Sequence, residues 1–217
     1  MIRAMRAAIF DLDGVIVDTA KYHYLAWKRL ANQYGFDFSE ADNERLKGVS
    51  RTRSLEILLE ISNLKVGEAV KQSMAAQKND WYVEYIQNMG ASEILPGAAE
   101  YLQTLHARGV KTAIGSASKN AQLILERLGI RCLFDVVVDG SKVTQAKPDP
   151  EVFMQAAREL DVAPANCIVF EDAEAGIEAA HRAGMGAVGI GKPITLREAD
   201  MVMGGLYQLV VLTASER

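Results

Sequence analysis

Ala8-Ile9-Phe10-Asp11-Leu12-Asp13-Gly14-Val15-Ile16-Val17-Asp18-Thr19 is the stretch on which the reading of this chain turns. Its lead-in, Ala7 to Phe10, has the unbroken hydrophobicity of a short strand buried on both faces, as in parallel sheets. The run stops on two carboxylates with only Leu12 between them, and Gly14 then permits a sharp turn. In open α/β sheets, reactive groups gather beyond the carboxyl ends of the strands. Two acids this close repel unless a cation or a proton relieves them. A solvated acidic turn would look the same locally, so the other strand ends have to decide.

The rest of the chain supplies them. From residue 20 to about 90 the pattern is helical. Tyr24, Trp27, Leu30, Ala31 and Tyr34 recur at helix spacing before Gly35, and 54–61 and 70–89 add further amphipathic stretches. Trp27 and Tyr24 read as the core of this helical part. From Gly97 the character changes. Helical patterns over 98–107, 121–128, 151–160 and 175–183 alternate with apolar runs at 110–116, 135–138, 167–170 and 187–190. That alternation signals a parallel sheet covered on both faces. The expected fold is α/β: a Rossmann-like parallel sheet core of residues 1–16 and 93–217, with a small helical cap, 17–92, inserted after the double aspartate. Beyond Pro193 one edge strand and a closing helix are expected.

Composition narrows the function. A formal charge of -4 argues against a nucleic-acid partner. No apolar run reaches the roughly 18–20 residues of a membrane helix. The first residues run directly into the apolar stretch, so no leader peptide and a cytoplasmic location are expected. Cys132 and Cys167 are isolated among apolar neighbours and read as reduced core thiols.

Parallel strands end at one edge, where four loops converge. Asp11 and Asp13 follow the first strand. Gly115-Ser116-Ala117-Ser118-Lys119-Asn120 follows the second, a hydroxyl-rich turn whose backbone N–H groups suit an anion. Lys147-Pro148-Asp149-Pro150 follows the third, and Glu171-Asp172 the fourth, at the head of a helix. Asp11 and Asp172, helped by Glu171, could supply oxygen ligands to Mg²⁺. The cation and Lys147 would neutralise a phosphoryl group in flight, and a carboxylate beside the phosphorus could attack it. Asp13 could give a proton to the leaving oxygen and take one from the acceptor.

These segments together resemble the haloacid-dehalogenase superfamily of phosphotransferases, in order and spacing over nearly the whole chain. The resemblance implies Asp11 as nucleophile, Asp13 as acid/base, and Ser116 and Lys147 as phosphate binders. It implies Mg²⁺ held by Asp11, the Asp13 carbonyl, Asp172 and Glu171. Ala173 stands where many relatives have serine, and the tail after Gly191 matches poorly.

The acceptor of the phosphoryl group, water or a sugar hydroxyl, should be set by the cap, since a lid selects substrate and excludes water. His23 lies about one helical turn past Thr19. Leu46-Lys47-Gly48-Val49-Ser50-Arg51 puts two cations around a glycine turn suited to an anion, and Lys78-Asn79 adds another cation. These segments, with Ser116-Ala117-Ser118-Lys119-Asn120, resemble the branch of the superfamily that converts β-glucose 1-phosphate to glucose 6-phosphate. That resemblance implies Arg51, Ser118, Lys119 and Asn120 on a distal phosphate, with Ala117 in the same loop. It implies Gly48 and Val49 against the sugar, Thr19 at the hinge, and closure bringing His23 and Lys78 toward Asp13. Small sugar phosphates are the expected partners of a monomer. A sugar-phosphate or phosphoglycolate-type phosphatase, and a non-catalytic sensor, remain open readings here, as does the identity of the sugar.

Overall fold

The computed structural model describes residues 2, 5–46 and 49–214. The strands are β1 (Ala7–Phe10), β2 (Lys111–Gly115), β3 (Val136–Val138), β4 (Cys167–Glu171), β5 (Gly186–Ile190) and β6 (Met201–Met203). They form one parallel sheet in the order β3-β2-β1-β4-β5-β6. Between β1 and β2 the chain first forms α1 (Ala20–Gln33), α2 (Glu40–Glu44), α3 (Arg51–Ser62) and α4 (Glu68–Ile86). The sheet is flanked by α5 (Ala98–Ala107), α6 (Ala121–Leu128), α7 (Glu151–Leu160), α8 (Glu174–Arg182) and α9 (Tyr207–Ala214). The expected α/β class and the edge strand with closing helix are both found.

Strand periodicity explains the layering. Ala8 and Phe10, with Ile168 and Phe170, enter one cluster together with residues of α5, α6 and α9. Ala7 and Ile9, with Cys167 and Val169, enter a second cluster with α7 and α8. Alternate residues of a strand point to opposite faces, so each face needs its own helical cover. Phe10 stacks on Phe170 with ring centroids 4.7 Å apart, joining the two central strands beneath the site.

While Tyr82 and Ile86 of α4 join the first cluster, most of the helical stretch between β1 and α5 packs around a third, with Trp27, Leu30, Phe38, Leu58 and Met74 buried in it. Tyr24 packs against that cluster, so both aromatic side chains take the core role expected. The stretch 70–89 forms most of a single helix, α4. The chain leaves and re-enters the sheet at one place: Val17 bridges Ile94 in antiparallel fashion, and the Leu95 amide donates to the Ile16 carbonyl at 2.9 Å. Glu93 accepts hydrogen bonds there from Lys21 Nζ at 2.5 Å and Tyr22 Oη at 2.7 Å. Among the described residues no helix is long and apolar enough to cross a membrane.

One expectation is overturned. Cys132 is exposed, whereas Cys167 is buried as expected. Arg131–Leu133 is a single 3-10 turn. Apolar neighbours in sequence are not neighbours on one face of so tight a turn.

Candidate active site

Register assembles the site. β1 pairs with β2 and β4, with Phe10 opposite both Ile114 and Phe170. One residue further on, Asp11, Gly115 and Glu171 stand abreast, and Ser116 and Asp172 follow beside them. The Asp11 amide donates to the Phe170 carbonyl at 2.9 Å, holding the aspartate at the strand end. Residues 160 positions apart in the chain are brought together by this pairing, since Asp11, Glu171 and Asp172 each offer a carboxylate oxygen within 4.8 Å of the others. Glu171 itself is the last residue of β4, with α8 starting three residues later.

Lys147 lies inside that cluster. Its Nζ is 2.5 Å from Asp11 Oδ1 and 2.8 Å from Glu171 Oε2, and 4.7 Å from the Phe153 ring centroid. The loop carrying it contains a cis Lys147–Pro148 bond. Burial works against the Lys147 ammonium, but the charges of Asp11 and Glu171 outweigh it and raise its pKa. Burial likewise pushes the Glu171 carboxyl up, opposed by Lys147. Lys147 contacts two of the three carboxylates of the cluster, Asp11 and Glu171. The cluster's oxygen-only donors fit a hard divalent cation. Two glycines permit the approach: a Cβ on Gly14, at φ +78°, would lie 2.1 Å from Asp172 Oδ2, and one on Gly176 2.1 Å from Glu171 Oε2.

Asp13 points elsewhere. Its carboxylate accepts a short hydrogen bond from the Thr19 hydroxyl. Burial, then the neighbouring Asp11 charge, push its pKa up to about 7. Thr19 is fully buried, and its carbonyl accepts from the amides of Tyr22 and His23 at 2.9 and 3.1 Å in the first turn of α1. His23 Nδ1 lies 2.9 Å from Lys78 Nζ. Burial, Lys78 and Arg51 hold the imidazole pKa well below its ordinary value.

Lys78 is 2 % exposed and sits 4.7 Å and 4.6 Å from the ring centroids of Trp27 and Tyr82. Burial first, then Arg51, pull its pKa well below the ordinary 10.5, against the opposing charge of Asp13. Folding therefore disfavours a proton on this amine. Stability of the wild type should rise with pH between the depressed folded value and about 10.5. A Lys78→Met variant should lose that slope and gain about 1–2 kcal/mol of stability near neutral pH, while losing activity. Denaturant melts at several pH values check it.

A cavity of about 820 Å³ is bounded by the strand ends below and α1, α3 and α4 above. Of the residues expected to act, Asp11, Asp13, Thr19, His23, Val49, Arg51, Lys78, Ser116, Ala117, Ser118, Lys119, Asn120, Lys147 and Asp172 line it. Glu171 lies behind Lys147, and Gly48 and its neighbour Lys47 fall outside the described residues. Ser116 Oγ accepts from the Ser118 amide at 3.1 Å, and Ser118 Oγ from the Asn120 amide at 3.2 Å, so side chains brace the loop after β2. Asn120 Nδ2 donates across the cavity wall to Asn79 Oδ1 of α4 at 3.1 Å. Sequence reasoning missed Asn43, Ser54, Gln72 and Thr144, which also line the cavity. Ser54 had a signal, since it stands one helical turn past Arg51.

A carboxylate pair on a strand end, a buried lysine, an acidic cluster and a helical cover define a phosphoryl-transfer site of one class. The chain belongs to the haloacid dehalogenase-like hydrolase family, whose model matches residues 5–184. It is 45% identical over 201 residues to the β-phosphoglucomutase of Bacillus subtilis, covering 92% of this chain and 89% of that one. A solved β-phosphoglucomutase from Clostridium difficile superposes with a TM-score of 0.92 at 43% identity, covering 98% of this chain and 96% of the other. A phosphorylated carbohydrates phosphatase of Thermotoga maritima is 33% identical over 83% of this chain and 82% of its own length.

Proposed function

We propose that this chain is an isomerase that interconverts β-D-glucose 1-phosphate and D-glucose 6-phosphate by two phosphoryl transfers through Asp11. The observation that carries the reading is one cavity lined by two cationic sets. Lys147 and Ser116 flank Asp11, and Arg51 faces the cavity together with Ser118, Lys119 and Asn120. An enzyme that must bind a bisphosphate in either orientation needs both sets; a hydrolase needs one. The similarity to two β-phosphoglucomutases at 43% and 45% identity supports the same choice.

In this reading Asp11 carries the phosphoryl group as an aspartyl phosphate and passes it to a hydroxyl of glucose monophosphate. The sugar bisphosphate so formed turns over, and Asp11 takes back the other phosphate. Asp13 withdraws the proton from the attacking hydroxyl and returns it to the leaving oxygen, and a carboxyl with its pKa near 7 serves both directions. Thr19 ties the orientation of Asp13 to the start of α1. Ser116 and Lys147 hold the proximal phosphate; Arg51, Ser118, Lys119 and Asn120 hold the distal one, with Gly48 and Val49 against the sugar. His23 and Lys78, hydrogen-bonded to each other, are brought toward Asp13 as the cap closes and so link closure to the state of that carboxyl. Mg²⁺, held by Asp11, Glu171, Asp172 and the Asp13 carbonyl, would offset phosphoryl charge when bound.

Residues 17–92 then act as a cap that moves over a core of 1–16 and 93–217, with Thr19 at the hinge. We further propose that the protein works in the cytoplasm as a monomer on small sugar phosphates. The test is turnover of β-glucose 1-phosphate with a bisphosphate primer. Glucose 6-phosphate should accumulate, and release of inorganic phosphate without it would favour a phosphatase. Arg51→Ala should lower isomerisation on the order of 100-fold while slow hydrolysis of the phosphoenzyme continues. A phosphatase would instead show only a changed substrate range.

A further inference from the structure

Between β3 and Lys147 the chain runs through residues 139–146 without regular structure, and α7 holds it in place. Glu151, in the first turn of α7, takes three donors on one carboxylate oxygen. They are the Thr144 amide at 2.9 Å, the Thr144 hydroxyl at 3.1 Å and the Gln145 amide at 2.6 Å. Further along the same helix Glu159 accepts Lys142 Nζ at 3.0 Å and the Gln155 side-chain amide at 2.9 Å. Asp149 Oδ1 accepts the Glu151 amide at 2.9 Å, folding the turn between Lys147 and the helix.

The other end of this segment leans on the loop after β2. The Gly140 amide donates to the Ser118 carbonyl at 3.3 Å, and a Cβ on Gly140 would lie 2.2 Å from the Ala117 carbonyl oxygen. In between, Thr144, Gln145 and Ala146 line the cavity, and Lys147 follows at once. The segment therefore touches both cationic sets. Convergence of two backbone amides and a hydroxyl on one oxygen is the arrangement of a loop clamp.

We infer that Glu151 is a positioning residue for phosphoryl transfer: by gathering Thr144 and Gln145 it sets the 143–146 wall of the cavity and, through that wall, the placement of Lys147 against Asp11. This rests on the functional reading above, because Lys147 matters only if phosphoryl charge develops beside it. Glu151 does not touch the reacting atoms, so its effect appears in the chemical step more than in substrate capture.

Two variants test it. Glu151→Ala removes the acceptor, while Glu151→Gln keeps a carbonyl oxygen within reach of the same donors. For conversion of β-glucose 1-phosphate, Glu151→Ala should lower kcat roughly ten- to a hundred-fold with KM changed much less, and Glu151→Gln should stay within about threefold of wild type. The amide resonances of Thr144 and Gln145 should move in the alanine protein and stay in the glutamine one. Glu151→Asp, with a shorter reach, replaces the alanine variant if that one does not fold. Wild-type kcat in the alanine variant, or equal loss in both variants, overturns the inference. If the wild type converts no β-glucose 1-phosphate, the functional reading fails separately. Beryllium trifluoride binding at Asp11 then decides: weakening of about tenfold in Glu151→Ala alone supports the role, and no change in either variant refutes it.

Discussion

Replacing Asp11 by asparagine is expected to cut formation of glucose 6-phosphate by a factor on the order of 10⁴ or more, because the amide cannot become the phosphorylated intermediate. The substitution is nearly isosteric, and Asn at this position keeps the backbone hydrogen bond to Phe170 that seats it at the strand end. The protein should stay folded by circular dichroism, so the loss is chemical. Beryllium trifluoride should bind the wild type at this side chain and leave the variant unbound. Undiminished turnover in Asp11→Asn would remove the covalent route altogether.

Lys147→Met is expected to combine loss of activity with loss of stability. The lysine is 7 % exposed and neutralises Asp11 and Glu171, both buried. Removing one partner of a buried ion pair strands the other, at a cost of about 3–5 kcal/mol. Here two carboxylates are stranded at once, beside Asp172. In chelator, urea melts should therefore show a drop of that size. Added Mg²⁺ should recover part of it, since a cation bound to the folded state and not the unfolded one stabilises by mass action. Turnover should stay absent with Mg²⁺ present, because the cation does not replace the ammonium on the transferring group. A variant as stable as wild type in chelator would mean that the three carboxylates share protons well enough without Lys147.

Much of this was legible before any coordinates. Apolar runs bounded by Gly129, Gly184 and Pro150 marked helices and strands to within a residue or two, since turn chemistry is local. The four strand-end loops could be placed on one edge because parallel strands connected by helices share a direction. What was not legible depends on contacts distant in sequence. The order of strands follows from pairing, and only pairing puts Glu171 beside Asp11. Asn43 and Gln72 reach the cavity from helices whose relative placement no local pattern encodes. Glu151 looks like any first-turn acid suited to a helix dipole, and its three donors lie six and seven residues upstream. Helix α2 did have a local mark that went unread: Ser39 and Asp42 form a reciprocal capping box. Cys132 misled because hydrophobic neighbours in a 3-10 turn say little about which way one side chain faces.

The bridge between Val17 and Ile94 carries a consequence for how such a molecule can diversify. Both ends of the helical insert depart from one doorway beside β1, and beyond it the insert meets the rest of the chain through side chains such as Asn79 on Asn120 and Tyr82 and Ile86 in the core. A different insert with equally adjacent ends could be grafted at that doorway while the strand-end chemistry beneath stayed as it is. Changes of substrate in this architecture can thus come from exchanging the roof, with the reaction centre inherited unaltered.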